Sequence, residues 1–297
     1  MPIIRRQRKS RFVKLFDKTP PGVVCPHFHE LILSNGCPYD CSYCYLKLTF
    51  RGNVSPTLFT NDWAELKTEL DSMPTGVFAT GELADSLAIE PPLLTPVLDY
   101  FSRQTDRYLL LLTKSSNIEP LLSRKPSPNI MVSFSINSET AAQLYEHGAP
   151  DPQERLTAAH RVKQQGWRVR IRLDPVLVET GLQNYEPICK AIRTLSPEMT
   201  TLGCLRYFPS LRRFAPKLPT AEVVRASDGR MRYPVSVRVQ TYQQIADWLG
   251  FRPSLCKETE DVWRELGWEF SGCNCTNERQ ERGRAVEQDI PGCTPRI

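Results

Sequence analysis

The chain has 297 residues, of which 40% are apolar and 24% charged, with a net charge of +5. That size suits one large domain or one domain with appendages. No apolar run reaches membrane-spanning length, and basic residues 1–18 lack an apolar signal core, so neither a membrane protein nor a secreted one is expected. Ten cysteines then point to a reducing cytoplasm rather than a disulfide framework, and the mild positive balance is compatible with a nucleic-acid or nucleotide partner without being diagnostic.

The opening run R-R-Q-R-K-S-R reads as a solvated basic arm, set against the alternative of a phosphate-binding arm, and residues 1–23 are assigned to it. Cys25, His27 and His29 follow closely. They read as a strand edge or loop, with a metal site as the alternative. An apolar run (Leu31, Ile32, Leu33) leads into C-P-Y-D-C-S-Y-C-Y over residues 37–45. From there helix and strand patterns alternate. Residues 61–72 carry Trp63, Leu66 and Leu70 at helical spacing. A short apolar strand covers 76–80, a helix 92–103, and a buried strand 108–113 (Y-L-L-L-L-T). A short helix at 117–122 precedes a strand at 130–137 (I-M-V-S-F-S-I-N). A helix over 152–165 is ended by Gly166. Strands at 168–174 and 200–207 flank a helix at 184–195. Such alternation implies parallel βαβ units, with functional residues at the C-terminal ends of the strands. The expected fold is α/β, a partial (β/α)6 barrel of the TIM type over residues 24–207. Residues 208–297 form a C-terminal extension holding helices at 242–249 and 258–266.

Cys37, Cys41 and Cys44 are spaced x3 and x2 in one loop. Cubane iron–sulfur clusters are normally held by four cysteine thiolates, so three would leave one iron open to another ligand. A zinc knuckle or three unrelated thiols are the alternatives, although zinc pairs usually come with a second pair. With Tyr43 before the last cysteine, the loop resembles the signature of radical S-adenosylmethionine (SAM) enzymes. The resemblance implies a [4Fe–4S] cluster whose open iron chelates SAM, and one-electron cleavage to a 5′-deoxyadenosyl radical that abstracts hydrogen.

Within that superfamily the segments C-P-Y-D-C-S-Y-C-Y, L-L-T-K, F-S-I-N-S, R-L-T-A-A-H-R-V and D-P-V-L-V resemble spore photoproduct lyase and its relatives over residues 24–207. The resemblance implies hydrogen abstraction from a thymine dimer in DNA. Two departures point to a different reaction. The stretch 78–85 has no cysteine where the lyase returns a hydrogen atom from one, and Glu82 is a carboxylate the lyase lacks.

The resemblance also implies roles for strand-end residues. Thr80-Gly81-Glu82 partly matches a G-G-E-like motif, in which Glu82 would accept a charge-assisted hydrogen bond from the SAM amino group. Lys114 would neutralise the SAM carboxylate. Ser135 and Asn137, two apart, are expected on one face toward the ribose or methionine. Arg170, Arg172 and Asp174 alternate on another strand, so Arg172 or Asp174 would meet SAM or substrate, with Arg206 a similar candidate. For each of these the alternative is a surface carboxylate or a buried ion pair. Arg206 to Lys217 is basic, with Tyr207, Phe208 and Phe214 interleaved, which suits base stacking and phosphate contact as well as a solvated linker.

Cys256, Cys273, Cys275 and Cys293 could hold a second cubane, a structural zinc, or neither. Cys189 and Cys204 read as core. Three functions compete: a radical SAM enzyme acting on DNA, RNA or a nucleoside and supplied by a separate electron donor; a peptide- or metabolite-modifying radical SAM enzyme with an auxiliary cluster; and a zinc-dependent nucleic-acid-binding module.

Overall fold

The computed structural model describes residues 2–219 and 221–278. Its centre is an eight-stranded sheet in which spatial order follows chain order: β1 (Val13–Phe16), β2 (Phe28–Leu31), β3 (Gly76–Ala79), β4 (Arg107–Thr113), β5 (Ile130–Ser135), β6 (Arg168–Val176), β7 (Met199–Cys204) and β8 (Ser254–Leu255). Only β1 and β2 pair antiparallel; every later pairing is parallel. Parallel neighbours need crossovers, and helices supply them: α1 (Trp63–Ser72), α2 (Leu94–Phe101), α3 (Pro152–Gln164), α4 (Glu186–Leu195) and α5 (Val235–Leu249), with α6 (Glu260–Leu266) following β8. The expected partial (β/α)6 barrel is therefore present as β2 to β7, widened by one strand at each edge. No described helix is long and apolar enough to cross a membrane.

Period-2 alternation sorts the strands into two faces. Phe78, Leu109, Leu111, Val132, Phe134, Ile171 and Leu173 point outward into one large core with Leu98 and Phe101 of α2 and Val162 of α3. Val77, Ala79, Leu110, Leu112 and Met131 point inward with Phe28. On β5 and β6 the inward positions turn polar: Ser133, Arg170, Arg172 and Asp174. A buried polar face needs partners, and those partners define the barrel interior.

The two ends of the chain differ from expectation. Residues 2–23 do not stand off from the body as an arm, although most of the basic run stays exposed. Ile4–Arg6 pairs parallel with Thr57–Phe59, and β1 closes the sheet edge. Phe12 and Val13 are buried, and their backbone N–H groups donate to Glu69 Oε2 at 2.8 and 3.0 Å. The Arg8 guanidinium lies over the rings of Phe12 and Phe59, so a cation that reads as solvated in the sequence covers apolar surface instead.

Nor do residues 208–278 form a separate appendage. β8 extends the barrel, and Glu258–Thr259 pairs antiparallel with Val23–Val24. Residues 273–278 run across the inner face of β6. There Arg170, buried, donates to the carbonyls of Asn274 (2.9 Å), Thr276 (2.5 Å) and Glu278 (3.0 Å) and pairs with Glu198 (2.9 Å). Asn274 Nδ2 donates to Ser133 Oγ at 2.7 Å. A boundary near residue 207 follows the change in sequence texture, but tertiary pairing runs through it.

Candidate active site

The C-terminal ends of the parallel strands surround a cavity of about 410 Å³, within the range of small-molecule sites, roughly 300–1,000 Å³. One wall is the loop 37–45. Gly36 sets its entry with a φ of 75°, and a Cβ there would stand 2.5 Å from the Ser55 carbonyl, so only glycine fits. Cys37 N–H donates to Val54 O (2.9 Å) and Ser42 N–H to Tyr145 O (2.8 Å), while Asp40–Cys41 pairs antiparallel with Glu146–His147. The loop is thus pinned on both sides before any ligand arrives.

Cys37, Cys41 and Cys44 all face the cavity as free thiols. Burial pushes Cys37 up to about 12, with Asp85 adding to it, and pushes Cys41 well above the usual thiol range. Binding a metal there requires thiolates, so loading the site must release protons. Among the described residues no three His, Cys, Asp or Glu side chains stand close enough to share one ion. Three thiols on one loop facing one cavity are a donor set that fits an iron–sulfur cluster, and three of them would leave one iron without a protein ligand.

Glu146 organises this wall and was not singled out in the sequence. Its buried carboxylate accepts from Tyr43 OH and from Asn137 Nδ2 (3.1 Å), and it pairs with Arg155 Nη1 (2.6 Å) and Lys114 Nζ (3.5 Å). Burial alone would raise its pKa; Lys114 and Arg155, then the two hydrogen bonds, hold it at about 2. Lys114 lines the cavity and already faces one carboxylate, that of Glu146. Asp85 is the second unforeseen residue. It accepts from Thr113 Oγ1 (2.6 Å) and from the N–H of Lys114 (2.6 Å), Leu87 (3.0 Å) and Ala88 (2.9 Å), tying the end of β4 to the loop after β3.

Gly81 is required where it is, because a Cβ would lie 2.2 Å from Leu112 Cβ. Glu82 faces the cavity, and its carboxylate has no hydrogen-bond or ion-pair partner among the described residues; its backbone carbonyl accepts from Tyr45 OH. Ser135 lines the cavity and Asn137 does not. β5 ends at Ser135, so the alternation stops there, and Asn137 turns into a buried network with Glu146, Pro175 O and Tyr185 OH.

Across the cavity stand Arg172, Asp174 and Arg206. Asp174 accepts from Arg172 Nη2 (2.5 Å) and from Arg206 Nη1 (2.8 Å) and Nη2 (3.0 Å). Burial would raise Asp174, but the two guanidiniums hold it well below the usual carboxylate range. Gly203 makes room for this triad, since a Cβ there would lie 2.6 Å from Asp174 Oδ1. The alternative of a buried ion pair thus describes these three side chains, although all three also line the cavity. Tyr207 is buried and accepts from Arg212 Nη2 at 2.7 Å, while Phe208, 43% exposed, stands at the mouth with the Arg230 guanidinium 4.9 Å from its ring centroid. Cys256, Cys273 and Cys275 line the same cavity, joined by Cys25, which the sequence reading left on a loop. Cys293 lies outside the described residues. Cys189 and Cys204 are core residues, as expected.

Residues 25–204 match the family model described as spore photoproduct lyase. Spore photoproduct lyase of Clostridium acetobutylicum is 23% identical over 54% of this chain and 51% of its own length; that of Bacillus subtilis is 22% identical over 56% and 49%. The chain thus spans about half the length of the curated relatives it matches. Among solved structures, a doubly substituted spore photoproduct lyase with bound AdoMet and dinucleoside spore photoproduct superposes with a TM-score of 0.68 at 17% identity, covering 85% of this chain and 81% of that one. Streptococcus suis SuiB bound to precursor peptide SuiA gives 0.54 at 14% identity, over 82% and 53%. At such identities these structures speak for the fold, and the family match covers more than half of the sequence: the chain belongs to the spore photoproduct lyase family.

Proposed function

We propose that the chain is a radical SAM enzyme that abstracts hydrogen from a nucleic acid or nucleoside, working in the cytoplasm with an external electron donor. The observation that carries this reading is the single cavity shared by Cys37, Cys41 and Cys44, the unpartnered Glu82 carboxylate, and a mouth of aromatic and cationic side chains. A [4Fe–4S] cluster held by the three cysteines would supply the electron that cleaves SAM to a 5′-deoxyadenosyl radical. Glu82 would hold the SAM amino group, its acceptor oxygens being uncommitted. Lys114, held in place by Glu146, would face the SAM carboxylate. Ser135, at the end of β5, would meet the ribose side. Tyr43, hydrogen-bonded to Glu146 and beneath the Lys114 ammonium at 5.9 Å, keeps the cysteine loop in register. Phe208 and Arg230 would receive a base and a phosphate at the mouth. The matched relatives bear a lyase name, and one solved relative holds a dinucleoside substrate, which favours this substrate class.

Peptide or metabolite modification is the second reading. It is favoured by the further thiols in the same cavity and by the similarity in fold to a protein bound to a precursor peptide. The test is anaerobic reconstitution, dithionite reduction with SAM, and assay for 5′-deoxyadenosine beside Cys41→Ala. Formation by the parent and none by the variant is expected. No cleavage by the reconstituted parent would defeat the radical SAM reading, and cleavage that alters no DNA, RNA or nucleoside would defeat the substrate class.

A further inference from the structure

Four cysteines in the cavity are unused by the chemistry above: Cys25, Cys256, Cys273 and Cys275. They arrive from three places. Cys25 lies between Val23–Val24 and β2, Cys256 directly after β8, and Cys273 and Cys275 in the loop across β6. All four are free thiols. Antiparallel pairing of Val23–Val24 with Glu258–Thr259 brings Cys25 toward Cys256, and Cys273 and Cys275 line the same cavity. We propose that these four cysteines hold a second [4Fe–4S] centre at the floor of the cavity, separate from the one at Cys37, Cys41 and Cys44.

Three features of the floor fit a thiolate cluster. The first is hydrogen bonding to sulfur. Arg172 Nη2 and Arg206 Nη2 each donate to Cys256 Sγ at 3.3 Å, and Cys275 N–H donates to Cys273 Sγ at 3.4 Å. Such donors orient cluster ligands and set the potential of the cluster. Asp174 holds both guanidiniums in this pose, which gives the triad a purpose beyond its own pairing.

The second feature is charge. Arg172, Arg206 and Lys257 face the floor against the carboxylates of Asp174 and Glu82. A cubane with four thiolate ligands is a net anion, and a buried anion needs such a cationic surround.

The third is rigidity. The loop bearing Cys273 and Cys275 is held by the Arg170 bonds to its carbonyls, by Asn274 to Ser133, and by Ser254 Oγ donating to Gly272 O at 2.5 Å. A site already organised does not have to be ordered by the cluster itself. The sequence offered Cys293 as a fourth ligand, which lies outside the described residues; within them Cys25 is the fourth thiol that lines this part of the cavity.

The test isolates the floor by removing the other site. The Cys37→Ala, Cys41→Ala, Cys44→Ala triple variant is reconstituted anaerobically with iron and sulfide. Iron, sulfide and zinc are then counted, and the reduced protein is examined by electron paramagnetic resonance. We expect about four irons per chain and a reduced-cubane signal. Adding Cys25→Ser or Cys256→Ser should abolish both, and adding Cys293→Ser should leave both. Urea denaturation of the metal-free variants separates lost ligation from lost folding: equal midpoints with lost iron support the site. Zinc in place of iron, no metal at all, or iron lost with Cys293→Ser but kept with Cys25→Ser would overturn it. Because this readout uses a chain without the SAM-site cysteines, its failure is distinguishable from failure of SAM cleavage in the parent.

Discussion

Replacing Glu146 by glutamine tests the reasoning most directly, because the change is nearly isosteric while it removes the charge and turns one acceptor oxygen into a donor. In the wild type the carboxylate faces Arg155, Lys114, Tyr43 and Asn137, and its side chain is fully buried. Depression of its pKa from 4.5 to about 2 corresponds to roughly 3 kcal/mol of preference for the ionised form. Glutamine also leaves Arg155, itself fully buried, without its counter-charge, and breaking a buried pair in this way costs about 3–5 kcal/mol. We expect a loss of about that size at pH 7, measured by urea denaturation of the metal-free protein. The sign with pH follows from the depressed pKa. The wild-type advantage is complete above 4.5, where the unfolded carboxylate is also ionised, and it shrinks as pH falls from there toward about 2. The variant should also bind less iron at the SAM site, since Tyr43 and the strand Glu146–His147 position the cysteine loop. A loss below about 1 kcal/mol, or one that does not change as the pH falls below 4.5, would refute the account of Glu146 as the organiser of that wall.

Further expectations concern the cofactor and the barrel floor. Glu82→Gln should weaken SAM binding by about 10- to 100-fold, the usual worth of a charged hydrogen bond, read by calorimetry on the reconstituted protein; unchanged affinity would remove Glu82 from the SAM site. Arg170→Ala should destabilise the protein by about 3–5 kcal/mol, and Arg170→Lys should not restore it, because an ammonium cannot span three carbonyls and Glu198. Hydrogen exchange over residues 273–278 should rise in both variants, and unchanged protection would show that the loop is held by something else.

The cysteine loop and the parallel strands were legible because their signals are local: three thiols within eight positions, and apolar runs alternating with helical spacing. The inward face of β6 was legible for the same reason, since alternation of Arg170, Arg172 and Asp174 needs no knowledge of partners. Glu146 and Arg155 were not. Glu146 meets Tyr43 from 103 residues away, and Arg155 sits in an amphipathic helix where a charge reads as solvated. Buried and exposed charges look alike until their partners are known. Asn137 failed differently: a period of two was extended past the last strand residue. The N-terminal run was half legible: Arg5 and Arg6 are exposed, but its charge density hid the apolar pair Phe12 and Val13, which the fold buries.

Cys25 shows why the sequence and the fold divide the problem as they do. In the sequence it stands beside two histidines, and the nearest chemistry belongs to them. In the fold His29 stacks on Phe78 at 4.5 Å between centroids and is buried, so the apparent ligand becomes a core residue. The thiol beside it points the other way, into the cavity. Antiparallel pairing of Val23–Val24 with Glu258–Thr259 brings Cys25 to Cys256, joining positions over two hundred residues apart. The cavity is therefore lined by segments from early and late in the described chain, residues 25–28 and 255–275. One wall carries the loop that the sequence announces, and the floor is assembled by pairings that no local pattern encodes. Arg172 and Arg206 hold Cys256, the loop fixed by Arg170 carries Cys273 and Cys275, and strand pairing alone delivers Cys25.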